Sequence, residues 1–167
     1  NLGRVAARDT IVQVNLVLTA VFAVTASYAA AVFSTTAQWV GAATAMTLFT
    51  IGVFAFLWSY WNAVQRSRTD EIAVTQLYLL MGDAIPAPVR RTMNFTLLIQ
   101  FAIAIVTTLA RPNGPDGNPG SSLAVGFLVP MLGFGLNGLW AVYHGNFATR
   151  AAVPTTSKEI RRNADHG

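Results

Sequence analysis

Residues 10–65 run for 56 positions without a Lys, Arg, Asp, Glu or His. A domain surrounded by water must place charge somewhere on its outer face, and a helix that crosses a bilayer needs about 20 apolar residues. The stretch therefore predicts two spanning helices joined by a tight hairpin. The first is expected over residues 11–33, with Asp9-Thr10 as its N-cap. The second is expected over 38–64, after the short turn Ser34-Thr35-Thr36-Ala37. Trp39 stands at one end of the second helix and Trp58, Tyr60 and Trp61 at the other. At 1.5 Å per residue that separation is roughly 30 Å, a hydrocarbon thickness bounded by two aromatic belts.

The pattern repeats after a polar interval. A third helix is expected over 92–110 and a fourth over 121–147, separated by the loop 111–120, which is built almost wholly of turn formers. Pro130 should kink the fourth helix, while Gly133, Gly135 and Gly138 thin its wall. In the interval 66–91, Thr69-Asp70-Glu71 reads as a helix start and Gly82, Pro86 and Pro88 as breakers. Two readings fit it: a short amphipathic helix lying on the membrane surface, or an extension of the second helix. The tail 150–167 is expected to be loosely ordered. The expected fold is thus an all-α integral membrane protein, one transmembrane domain over 1–167 with four spans and an amphipathic helix between the second and third.

Composition agrees: 53% of the 167 residues are hydrophobic and 11% charged, against about 25% charged in a typical soluble domain. The net charge is +4, and its distribution carries the information. Ten of the eleven basic residues are Arg; two precede the first span, four lie in 66–91 and four in the tail, whereas only Arg111 lies on the opposite side. By the positive-inside rule both termini and the central segment are expected in the cytoplasm. Basic residues at span ends suit topology and phospholipid, so nucleic acid is not an expected partner. Arg66, Arg68, Arg90 and Arg91 are candidate contacts for anionic lipid such as cardiolipin, or plain topology signals. The chain opens on Asn1, as after processing or from an internal start, and the 23-residue uncharged run 11–33 is too long for a signal-peptide core of 7–15 residues.

Chemistry in a span usually announces itself as an ionisable residue at depth, and the four expected spans hold none. With no Cys in the chain, disulfide and thiolate chemistry are excluded. The two His residues, His144 near the end of the fourth span and His166 in the tail, suggest an interfacial anchor and no haem or metal pair. No catalytic residue, metal ligand or cofactor is expected. What remains is amide chemistry: Gln100 mid-way along the third helix and Asn137 inside the fourth, with Gln13, Asn15, Asn62 and Asn94 nearer the ends. Such groups hydrogen-bond between helices at roughly 0.6–2 kcal/mol each; the other reading is a polar site for a substrate or quinone head group. Small residues recur every four positions at Ala23, Ser27 and Ala31 and at Ala26 and Ala30, a spacing that lets helix backbones approach. Gly133 and Gly138 are read the same way, as helix-packing positions beside Asn137 and Gln100.

The stretches Thr69-DEIAVTQLYLLMGDAIPAPVRRTM and Gly126-FLVPMLGFGLNGLWAVYHGNFATR resemble small actinobacterial four-helix membrane proteins, in particular an accessory subunit of the mycobacterial cytochrome bcc–cytochrome c oxidase supercomplex. The resemblance covers the C-terminal two-thirds of the chain as general pattern. It implies a non-catalytic structural or assembly subunit of a respiratory supercomplex, with oxidase and cytochrome bcc subunits as partners and the haem and copper held by other chains. The alternative expectation is a small oligomeric transporter or channel in which Gln100 and Asn137 line a polar path.

Overall fold

The computed structural model describes residues 2–117 and 120–150, with side chains from Thr10 on. It is all-helical. Helix α1 covers Leu2–Val32, α2 Thr35–Arg66, α3 Val74–Tyr78, α4 Ala87–Ala110 and α5 Pro130–His144, with a 3₁₀ segment, Ser122–Leu128, leading into α5. Four stretches are long and apolar enough to cross a membrane: Thr10–Val32, Thr35–Arg66, Ala87–Ala110 and Ser122–His144. The chain thus fits a multi-pass membrane protein. The expected tail falls outside the described residues from position 151 on.

Each boundary has a local cause. α1 stops where Phe33 takes a left-handed φ of 48°, and Ser34 then caps α2 by accepting from the Ala37 amide. Pro86 and Pro88, expected as breakers, sit at the start of α4 and within its first turn. A ring without N–H fits there because the first amides of a helix have no intrahelical acceptor. α4 accordingly begins five residues before the expected 92. In the fourth span, Pro130 cannot donate and its ring would crowd the preceding turn of an α-helix. The chain answers with 3₁₀ geometry, the Val129 amide donating to the Gly126 carbonyl at 3.0 Å, and regular α5 starts at the proline.

The interval between α2 and α4 is neither an extension of α2 nor a helix over 69–82. α2 ends at Arg66, and only the five residues Val74–Tyr78 turn helically, with Leu77 and Tyr78 buried. Leu80 follows with φ 52° and no exposed surface. The segment folds back beneath α5 because its apolar residues enter the core instead of lying along a surface.

Contacts fix how the helices run. Val12 and Gln13 near the start of α1 line one cleft with Pro88 and Val89 at the start of α4, and Arg111 after α4 donates to the Ala30 carbonyl near the end of α1 at 3.1 Å. These two helices run in the same direction. α2 and α5 run together the opposite way, since Gly52 faces Leu132, Ala55 faces Gly135 and Ser59 faces Gly138. α5 is the central helix: two-thirds of the most apolar window of its span, Ser122–His144, is buried, against about a quarter for those of α1 and α2.

The α2–α5 contact is a seam of small residues. From Gly41 on, the buried positions of α2 are Gly41, Ala45, Leu48, Gly52, Ala55, Ser59 and Ala63, in steps of three and four; Gly52, Ala55 and Ser59 meet α5, and Gly41 meets Ala29 of α1. A methyl group on Gly52 would fall within 2.6 Å of the Leu132 Cα, and one on Gly135 would meet the Gly52 carbonyl and, at 2.9 Å, the Ala55 Cβ. Where no water-driven force pushes helices together, this close backbone approach supplies the dispersion contacts that hold them. On α1, by contrast, Ser27 and Ala31 are exposed, and the buried stripe is Asn15, Thr19, Phe22, Ala26 and Ala29.

Candidate functional site

The deep polar side chains form two groups. In the first, Gln100 of α4 donates from Nε2 to Thr19 Oγ1 at 2.7 Å and to Asn15 Oδ1 at 3.3 Å, both on α1. Asn15 Nδ2 in turn donates to the Met93 sulfur at 3.5 Å. Gln100 and Asn15 are completely buried. Gly133 closes the group from α5: a methyl there would lie 2.7 Å from Leu97 Cδ1 and 2.8 Å from Gln100 Oε1. A glycine suits this position because the Gln100 amide occupies the space that a side chain would fill.

In the second group, Asn137 of α5 donates to the Tyr78 carbonyl at 2.9 Å and to Asn94 Oδ1 at 3.3 Å, and Asn94 Nδ2 donates to the Leu79 carbonyl at 2.7 Å. Two amides from two spans therefore bond successive backbone carbonyls of the folded-back segment and hold Leu80 in its left-handed conformation. Tyr78 stacks on Phe56 with ring centroids 4.3 Å apart. A methyl on Gly138 would strike Ser59 Oγ and come within 2.8 Å of the Tyr78 ring. Burial pushes the Tyr78 hydroxyl above its ordinary pKa; a hydrogen bond from Ser59 opposes the shift and Tyr60 adds to it.

The four basic candidates separate by what they touch. Arg66 turns onto the protein: Nε pairs with Asp70 at 2.6 Å, and its two terminal nitrogens donate to the Val142 and Gly145 carbonyls at 2.6 and 3.0 Å. Its guanidinium also lies 5.1 Å from the Phe147 ring centre. A cation at the C-terminal end of α5 meets carbonyls that the helix leaves without donors. Beyond this clamp the chain after α5 pairs with the chain after α2, through an isolated antiparallel bridge between Asp70 and Thr149. Arg90 donates to the Gly82 carbonyl at 2.7 Å. Arg68 and Arg91 are exposed, Arg91 beside a shallow apolar cleft floored by Phe95 and Leu98.

His144 is half-buried with its ring 5.4 Å from that of Trp140. Gln13 is exposed and Asn62 bonds its own helix at the Trp58 carbonyl. Among the described residues no three His, Cys, Asp or Glu side chains gather where a metal could sit. Gln100 and Asn137 thus belong to separate groups, each bonded within the chain. Sequence reasoning named Asn15 only as an amide nearer a helix end and missed Thr19, although their spacing of four on α1 with Phe22 and Ala26 was a signal for one face. It also missed Gln38, which is almost fully buried and accepts from Ser122 Oγ at 2.7 Å. No protein-family model, curated protein or solved structure matches the chain.

Proposed function

We propose that this chain is a non-catalytic structural or assembly subunit of a larger membrane complex. The observation that carries the reading is the use of the deep amides: Gln100 and Asn137 each spend their donor on another element of the same chain. They act as interhelical fasteners, and both side chains are completely buried. That burial favours the subunit reading over a polar conduit through the bundle. The outward surface carries large aromatic side chains, among them Phe54, Trp58, Trp61 and Phe95, available to neighbouring subunits as well as to lipid.

The likeness to an accessory subunit of the mycobacterial oxidase supercomplex makes a respiratory assembly, with cytochrome bcc and oxidase chains as partners, the first complex to search. In this reading the chain sits in a bacterial plasma membrane with its Arg66 clamp, its segment 66–91 and both termini on the cytoplasmic side, following the ten-to-one distribution of basic residues. Arg68 and Arg91 are then the residues placed to meet anionic lipid. Purification of the tagged chain in mild detergent tests the proposal. Co-migration with a large assembly containing haem-bearing subunits is expected; a self-contained oligomer that moves solute across liposomes defeats it.

A further inference from the structure

At the end of the bundle remote from the Arg66 clamp, α2 encloses an open groove with Gly114, Pro115, Asp116, Gly120, Ser122 and Val125. Thr35, Trp39, Ala42 and Met46 of α2 line one wall at helical spacing, a run of about 16 Å at 1.5 Å per residue. The opposite wall carries Asp116 and Val125 together with Ser122, which bonds Gln38 near the start of α2. The groove is therefore polar where α2 begins and apolar three turns deeper, the profile of a lipid with its head group at the interface.

Two observations specify the head group. Gln38, also in the lining, is only 5% exposed; its Oε1 accepts from Ser122, while its Nε2 has no partner among the described residues. A buried amide donor left open calls for an acceptor oxygen, which a phosphodiester or ester carbonyl supplies. Among the described residues the lining carries a single charge, the Asp116 carboxylate, and no cation. Arg111, the one basic residue between 92 and 149, is engaged over Phe33 at 4.5 Å and on the Ala30 carbonyl. The Trp39 ring stands 72% exposed in the same wall. A carboxylate and an open indole face together suit an ammonium group and disfavour a net anion.

We propose that this groove binds one phospholipid with an amine-bearing, net-neutral head group, with phosphate or ester oxygen on Gln38, the ammonium between Asp116 and Trp39, and an acyl chain along Ala42, Met46 and Val125. The site is distinct from the Arg68 and Arg91 positions at the other end of the bundle, and it stands whether or not the chain is a subunit of a larger complex.

The test is native mass spectrometry of the full chain released from nanodiscs containing equal phosphatidylethanolamine and phosphatidylglycerol. The lipid retained by the wild type should be enriched in phosphatidylethanolamine by about threefold to tenfold, the size set by one exposed ion pair and one cation–π contact. Asp116→Asn and Trp39→Ala should return the ratio toward that of the bilayer, and Gln38→Leu should lower retained phosphatidylethanolamine. Arg91→Gln should leave the preference intact. Circular dichroism and the thermal transition in detergent establish that each variant is folded. A wild-type ratio equal to that of the bilayer, an enrichment in phosphatidylglycerol, or an unchanged preference in folded Asp116→Asn would overturn the proposal.

Discussion

Gly52 and Arg66 set the two extremes of what one residue does in this bundle. At Gly52 any Cβ collides with backbone, since the Leu132 Cα would lie 2.6 Å away and no rotamer of a neighbour can relieve that. Overpacking a well-filled interior costs about 1–3 kcal/mol, and Gly52→Leu is expected at or above the top of that range, read as loss of the folded fraction in detergent. Gly133→Leu should also destabilise, but less, because its obstacles are the Leu97 and Gln100 side chains, which can shift. A Gly52→Leu chain that melts like wild type would show that α2 and α5 are not in close contact. Arg66 works through polar bonds: Arg66→Ala removes two donors from the end of α5 and the Asp70 pair. The expected cost is roughly 1–3 kcal/mol for hydrogen bonds made by a charged group, and Arg66→Lys should recover only part of it, since an ammonium cannot span the same carbonyls with a planar fork.

At the scale of the element, the folded-back segment after α2 is secured by Asn94 and Asn137 on the carbonyls of Leu79 and Tyr78. Asn137→Leu should cost little in global stability, about 0.6 kcal/mol for an average amide bond in a membrane bundle, while raising hydrogen exchange across residues 74–82. Equal exchange protection in the variant would mean that Leu80 burial alone holds the segment. Alkaline pH offers a second reading of the same element. The folded pKa of Tyr78 is raised by burial, so its contribution is fully present below the ordinary tyrosine value, about 10, and is lost as pH rises through the folded value. Tyr78→Phe should lose stability less steeply than wild type in that alkaline window in a pH-dependent melt. The spans themselves were legible because charge is absent from them and aromatics mark their ends. The segment 69–86 was not, because Ile72, Leu77, Leu80 and Ile85 look alike whether they face lipid or a core. The proline role was misjudged at Pro130, expected as a kink inside one helix and found at a helix start, and at Pro86 and Pro88, since a breaker, a kink and a helix start carry the same residue. Gln100 and Asn137 could be named as fasteners, but their partners are set by the crossing of α1, α4 and α5, which no local pattern contains.

For the molecule as a whole, the expected orientation rests on basic residues and on which ends the contacts bring together. Single-cysteine labelling in the Cys-free background should find Thr35 accessible from outside the cell and Asp83 only from the cytoplasm. The reverse result would overturn the orientation and move the amine-selective groove to the other leaflet. The central place of α5 has a further consequence, for biogenesis. The helix that most of the others lean on is the last of the four to leave the ribosome. Until it enters the membrane, the part of the α2 stripe at Gly52, Ala55 and Ser59 has no intended neighbour, and the Tyr78 and Leu79 carbonyls are only half provided for. The newly made chain therefore passes through a three-helix stage with an uncovered contact strip, and its maturation is gated by insertion of the final span.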